Sequence, residues 1–288
     1  MLKRPQVLLS NDDGIAAYGL RALKNQLEAT YDVWVVAPDR ERSATSHAIS
    51  LHKPLRIQKL GEREFSVDGT PTDCVYMGLH HLLPEAPSLV LSGINHGPNL
   101  GNDVLYSGTV SAAMEGAMFG YPAIATSLCL PEQRQGLTLD IHSFATAAAC
   151  VADLAHAVLA QRLPPGVVLN VNIPFKKREE LVGFKLCRLG YTDWADAVSV
   201  RNDPRGKPYF WIGGERTGHD DIADSDNNNI AQDFVTLTPI HYDLTDYRSF
   251  STVRNLQVPG WNNGIDNLGD APLPHPVNRR FRGMLEKK

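Results

Sequence analysis

The chain has 288 residues, with 28 Lys and Arg against 32 Asp and Glu for a formal net charge of −4. Its 43% hydrophobic and 21% charged residues are ordinary usage for a chain that buries a substantial core, which excludes a disordered, collagenous or coiled-coil protein. A mildly acidic chain has no global attraction for nucleic-acid phosphate or an acidic membrane surface, so phosphate recognition must come from a few placed groups.

Met1-Leu2-Lys3-Arg4 has the charge that begins a secretory signal, but the apolar run ends at Leu9 and meets Ser10-Asn11-Asp12-Asp13-Gly14. Val7-Leu8-Leu9, the polar turn and then Leu20, Leu23 and Leu27 at roughly helical spacing predict strand, loop and helix. Val33 to Ala37 is all apolar and stops at Pro38-Asp39, as a buried parallel strand would. Ser88 to Leu91, Ala123 to Thr126 and Val167 to Val171 repeat the pattern, each separated by a helix-length segment. Such alternation predicts an α/β fold, a mostly parallel sheet with helices on both faces. The apolar stretch from Phe144 to Leu159 is interrupted by Asp153 and His156 and falls short of the ~20 residues of a membrane span. Cys74, Cys129, Cys150 and Cys187 are widely spaced, with no C-x-x-C, and read as reduced thiols. A cytoplasmic protein is expected.

After Pro174 the apolar runs shorten to Pro208 to Ile212 and Phe234 to Leu237, which predict antiparallel hairpin strands attached to the core. The polar stretch from Gly213 to Asn229 is expected to be exposed. One domain over 1–288 is predicted, with a catalytic core at 5–180, a hairpin region at 181–260 and a loose tail at 261–288. Exposed Tyr209, Phe210 and Trp211 need a partner surface, so a homo-oligomer is expected.

Chemistry gathers in the loops that follow the strands. Asp12 and Asp13 are adjacent at a strand end, where both are solvated, with Asp13 as a helix cap, or a cation compensates them. Ala37 to His47 is a long polar connection bearing hydroxyls. Ser92 to Asn102 offers Asn95 and Asn99 as oxygen donors to a hard cation or amides to an anion. Tyr106-Ser107-Gly108-Thr109 precedes an amphipathic helix, whose free N–H groups and hydroxyls suit phosphate. Thr70, Pro71 and Asp73 read as a structural capping box. The histidines form no ligand pairs, which favours Mg²⁺, Mn²⁺ or Ca²⁺ on oxygen donors. No G-x-x-x-x-G-K-[ST], H-E-x-x-H or G-x-S-x-G motif occurs, and no G-x-G-x-x-G follows the first strand. The D-D-G pair also differs from the D-x-D of aspartyl-phosphate phosphatases.

With these residues the sequence resembles the SurE family of survival-protein 5′/3′-nucleotidases. The resemblance runs from about Val7 to Pro239 through Ser10 to Gly14, Ala37 to Arg40 with Ser43, Val67 to Pro71, Ser92 to Asn95, Tyr106 to Thr109 and Asn170 to Pro174. It implies a Rossmann-like three-layer core, a C-terminal oligomerisation region forming a homodimer or homotetramer, and divalent-metal-dependent hydrolysis of nucleoside monophosphates, with polyphosphate a further substrate of some members. Its implied metal ligands are Asp12, Asp13, Ser43 and Asn95, holding one Mg²⁺ or Mn²⁺ per subunit, and its phosphate contacts are Ser107, Gly108 and Thr109; Asn99, from the residues themselves, is added as an expected phosphate contact. Asp12, Asp13 and Asn95 are the expected catalytic groups, with Asp12 orienting or deprotonating the attacking water. No nucleic-acid polymer or membrane partner is expected. The other class open to these residues is a metal-stabilised nucleotide-binding module without turnover. Two departures stand out: Ala44 and Ser111 occupy positions where the family pattern usually has Gly.

Overall fold

A computed structural model describes residues 4–131, 137–195, 198–213 and 216–256. The chain gives, in order, β1 (Gln6–Ser10), α1 (Tyr18–Leu27), β2 (Asp32–Pro38), β3 (Ile57–Gly61), β4 (Glu64–Val67), α2 (Pro71–Met77), β5 (Leu89–His96), α3 (Gly108–Met118), β6 (Ala123–Cys129), α4 (Ala145–Gln161) and β7 (Val167–Pro174). There follow β8 (Gly183–Leu186), β9 (Thr192–Trp194), β10 (Val198–Asn202), β11 (Pro208–Ile212), β12 (Arg216–His219), α5 (Asp226–Ile230) and β13 (Phe234–His241). Nine of these strands form one sheet in the order β3-β4-β2-β1-β5-β6-β7-β13-β8. The run from β4 to β7 is parallel throughout.

Alternation along the strands divides the core into two layers. Val7, Leu9, Val35, Leu91 and Ile124 pack with Leu20, Leu23 and Leu27 of α1 and Ala147 and Val151 of α4. Leu8, Val36, Val90 and Ala125 face the opposite way, onto Val75 of α2 and Val110, Ala113 and Ala117 of α3. Both faces of the sheet are therefore covered, which is why its strands read as continuous apolar runs. The apolar stretch beginning at Phe144 is α4, one of these core helices, with Ala147, Ala148, Val151 and Ala155 buried. The capping box closes as expected: the Thr70 hydroxyl accepts the Asp73 N–H at 3.1 Å, and Asp73 Oδ2 accepts the Thr70 N–H at 2.8 Å.

The C-terminal half departs from expectation in two ways. β10 and β11 do pair as an antiparallel hairpin, but Phe234 to Leu237 belongs to β13, which is part of the main sheet, antiparallel to β7 and parallel to β8. Val235, Thr236 and Thr238 are buried there, at 1%, 0% and 2% exposure, because the strand is covered on both faces. The stretch from Gly213 to Asn229 is not wholly exposed: Ser225, Asp226, Asn227 and Asn229 are each at 0%. The Asp226 carboxylate is satisfied there by the N–H groups of Gly101 and Gly190, Asn227 Oδ1 accepts from Arg216, and Ser225 and Asn229 bond within their own turn. The tail at 261–288 lies outside the described residues.

Candidate active site

In an open parallel sheet, ligands bind beyond the carboxyl ends of the strands, where the winding direction reverses. That point lies here between β1 and β5. From β1 the chain passes through α1 to β2 on one side, while β5, β6 and β7 add on the other. Ser10 and Ser92 pair across the junction, so the loops that follow emerge side by side. The register of β5 with β6 shifts between Ser92 and Asn95, at Gly93 with φ +127° and a cis Gly93–Ile94 peptide. A Cβ on Gly93 would lie 2.3 Å from the Thr126 carbonyl oxygen, so only glycine fits this bulge.

Asp12 is 4% exposed. Its Oδ1 accepts the Thr109 hydroxyl. The first residue of α3 comes so close that a Cβ on Gly108 would sit 2.8 Å from the Asp12 Cβ. Asp13 Oδ2 accepts the His96 N–H at 3.1 Å, and His96 Nδ1 lies 4.0 Å from Asp13 Oδ1. Burial pushes both carboxyls up from 3.8 to about 6. For Asp12 the Thr109 hydroxyl opposes the rise and the charge of Asp13 adds to it; for Asp13 the His96 N–H opposes and Glu41 adds. Burial also holds His96 below the usual imidazole range, and its ring packs on Phe144 with centroids 4.9 Å apart.

The turn at Asp12 and Asp13 is not a helix cap. Asn11 Nδ2 donates to the Gly14 carbonyl at 2.9 Å, and the residue capping α1 is Ala17, without a side-chain bond. The loop after β2 is fastened to this turn: the Arg42 N–H donates to the Asp12 carbonyl at 2.7 Å, and the Ser46 N–H to the Tyr106 carbonyl at 3.3 Å. Ser43, next to Arg42, is exposed and its hydroxyl donates to Glu41 at 2.8 Å. Ala44 and Ser46 have φ of +55° and +49°, the left-handed region that favours glycine. Ala44 thus adopts the backbone that the Gly of the resembled pattern would adopt without strain.

Asn95 Nδ2 donates to the Gly97 carbonyl at 2.9 Å, which leaves its Oδ1 as the outward acceptor. Ser107 caps α3, its hydroxyl accepting the Val110 N–H at 3.0 Å. The Thr109 hydroxyl is committed to Asp12, so α3 meets the carboxylate directly. Asn99 is held elsewhere: its Nδ2 donates to Ser127 at 2.7 Å, its N–H to Asn172 at 2.9 Å, and its carbonyl accepts both Asn170 and Asn172 at 2.9 Å. The two asparagines of the Asn170 to Pro174 motif are therefore loop supports, a role the motif alone does not reveal.

These residues fit a hard divalent cation. Among the described residues no Lys or Arg pairs with Asp12 or Asp13 within 4.0 Å. The buried oxygens of Ser10, Asn11 and Ser92 beside them have no hydrogen-bond partner. Among the described residues no group of three or more His, Cys, Asp and Glu is placed to hold a metal, so a cation at Asp12 and Asp13 would need amide or hydroxyl oxygens to complete its shell. Hard oxygen donors of this kind select Mg²⁺ or Mn²⁺ over the softer metals.

A profile described as survival protein SurE matches residues 7–196. The chain is 49% identical over 259 residues to the 5′-nucleotidase SurE of Anaeromyxobacter sp. (strain K), covering 89% of this chain and 97% of that one. It is 46% identical over 268 residues to the 5′-nucleotidase SurE of Synechococcus elongatus (strain ATCC 33912 / PCC 7942 / FACHB-805), covering 87% and 99%. The crystal structure of SurE protein from Aquifex aeolicus is similar with a TM-score of 0.76 at 40% identity, over 87% of this chain and 98% of that one.

Proposed function

The chain belongs to the SurE family and is a 5′-nucleotidase; we propose that it hydrolyses nucleoside monophosphates with one Mg²⁺ or Mn²⁺ held by Asp12, Asp13, Asn95 and Ser43. The observation that carries this reading is that the Asp12 carboxylate, beside Asp13 and with no Lys or Arg paired to either among the described residues, meets the N-terminus of α3 at the β1–β5 junction. A phosphate needs positive potential and N–H donors, which a helix N-terminus supplies, and a buried acidic pair needs a cation.

When bound, the cation supplies Lewis-acid charge against the phosphoryl oxygens. Asp12, whose carboxyl is poised at about 6, accepts the proton of the water that attacks phosphorus. The new P–O bond forms as the ester P–O bond opposite breaks, and the proton passes to the departing nucleoside oxygen. Thr109 holds Asp12 in place through its hydroxyl. Gly108, lacking a Cβ, lets the first turn of α3 approach the reacting group, where its N–H groups take up developing negative charge. The same cradle accepts 3′-esters and the terminal group of polyphosphate, which extends the proposal to those substrates.

The exposed faces of β10 and β11 carry Val200, Phe210, Trp211 and Ile212 at 60%, 61%, 63% and 94% exposure, and we place a second copy of the chain on them. Phosphate release from a panel of nucleoside monophosphates, with Mn²⁺, Mg²⁺ or EDTA, tests the reading. Release with either metal and none with EDTA supports it; tight nucleotide binding without release under every condition overturns it.

A further inference from the structure

The loop at 97–107 joins the end of β5, which carries Asn95, to the phosphate-facing end of α3, so its shape sets the distance between the two halves of the site. Within it a single 3₁₀ turn runs over Gly101–Leu105, flanked by Asp103 N–H to the Leu100 carbonyl at 3.1 Å, Tyr106 N–H to Asp103 at 3.0 Å and Ser107 N–H to Val104 at 3.4 Å. The first half of the chain holds it through the Ser46 N–H, which donates to the Tyr106 carbonyl, and the Ser127 hydroxyl, which accepts from Asn99 Nδ2, and the C-terminal half adds further bonds. Asn170 and Asn172 grip the backbone of Asn99. Asp226 Oδ2 accepts the Gly101 N–H at 3.0 Å. The Asn102 side chain accepts the Thr192 N–H at 2.8 Å, and Asp103 accepts the Trp194 indole N–H at 2.9 Å.

Asp226 is the centre of this arrangement. It is 0% exposed, and its Oδ1 also accepts the Gly190 N–H at 2.9 Å and the Asn227 N–H at 3.0 Å. Among the described residues no Lys, Arg or His pairs with it within 4.0 Å. Burying an unpaired carboxylate is unfavourable, and its environment explains why one is present: Gly101, Gly190 and Asn227 all present N–H donors, and a carboxylate is the side chain that offers only acceptors. Asparagine there would set its NH₂ against one of these donors. Both glycines allow the close approach: a Cβ on Gly101, whose φ is +53°, would lie 2.6 Å from the Gly190 carbonyl oxygen, and one on Gly190 would lie 2.8 Å from Asn227 Nδ2.

We propose that Asp226 is a positioning residue for phosphate transfer: with β9, Asn170 and Asn172 it fixes the 97–107 loop and hence where the N-terminus of α3 stands over Asp12. The proposal rests on the nucleotidase reading for its kinetic consequence, but not for its structural one. A displacement of about 1 Å at a reacting group lowers turnover by roughly 10²-fold.

The test uses the full chain and the variants Asp226→Asn and Trp194→Phe, the second at a half-exposed residue whose loss leaves the core intact. Three readouts are taken: the kcat and KM for a nucleoside monophosphate, the inhibition constant of inorganic phosphate, and hydrogen–deuterium exchange across 97–107. Asp226→Asn should lower kcat by about 10- to 100-fold and weaken phosphate inhibition by about 10-fold, with faster exchange in the loop. Trp194→Phe should shift phosphate inhibition the same way by a few-fold. A merely structural residue would lower the melting temperature and the active fraction while leaving the KM and phosphate inhibition of the folded molecules unchanged. If Asp226→Asn does not fold, Trp194→Phe decides. Wild-type phosphate affinity and loop exchange in every folded variant would overturn the proposal. Failure of the wild type to release phosphate would overturn the nucleotidase reading instead, while loop exchange would still test the clamp.

Discussion

Replacing Asp12 by Asn separates what the carboxylate does for the fold from what it does for the reaction. Asparagine keeps the volume and the acceptor that takes the Thr109 hydroxyl. It removes a buried charge whose carboxyl stands at about 6 instead of 3.8, a relief on the order of 3 kcal/mol at neutral pH. Against this, the new NH₂ faces the first turn of α3, where the Thr109 N–H loses its acceptor, at about 1–3 kcal/mol. The two nearly cancel, and at about 2–4 °C per kcal/mol the metal-free melting temperature should move by only a few degrees. With metal the proteins should diverge. A cation at about 100 times its dissociation constant stabilises the wild type by about 2.7 kcal/mol, and the variant should lose most of that gain. Turnover should fall by about 100-fold or more, a loss of roughly 2.7 kcal/mol of transition-state stabilisation. Thermal unfolding in EDTA and in Mn²⁺, together with phosphate release from a nucleoside monophosphate, measures all three quantities. A variant that releases phosphate at the wild-type rate, or gains as much stability from Mn²⁺, would refute the site.

Three further outcomes follow from the same geometry. Thr109→Val deletes a hydrogen bond that holds the Asp12 carboxyl down, so the acid limb of the pH–rate profile should move upward and competitive inhibition by vanadate should weaken; an unchanged profile and vanadate affinity would place the phosphate elsewhere. Asp12 and Asp13 bind protons more tightly folded than unfolded, so in EDTA their contribution to stability is greatest below about pH 4 and is lost as the pH rises through about 6, a trend that saturating Mn²⁺ should flatten and that chemical denaturation at stepped pH would detect. Light scattering should find at least a dimer of the 31.7 kDa chain, and Trp211→Asp should shift it toward monomer; an active wild-type monomer at micromolar concentration would show that the hairpin packs without a second copy.

The parallel core was legible because its signal is local. Strands covered on both faces must be apolar throughout, and β1, β2, β5, β6 and β7 show as short apolar runs ended by polar turns. Asp12, Asp13, Asn95 and the Ser107 to Thr109 helix start were legible for the related reason that each follows such a strand or opens a helix, and the resemblance placed them in one family pattern. The sequence also marked Asn170 to Pro174 as a motif without showing its purpose.

What tertiary structure decided is contact between segments far apart in the chain. Phe234 to Leu237 reads as a short hairpin strand attached to the core, yet β13 inserts between β7 and β8 of the main sheet, where Thr236 and Thr238 are buried. Asp226 stands in a run of Asn and Asp that composition assigns to solvent, and only the approach of Gly101 and Gly190, 125 and 36 residues away, turns it into a buried acceptor. The commitment of the Thr109 hydroxyl to Asp12 across 97 residues is of the same kind. A pattern in sequence reports the face a residue presents, whereas the partner that satisfies a buried polar group is fixed by which loops the sheet order brings together, and that order has no local signature.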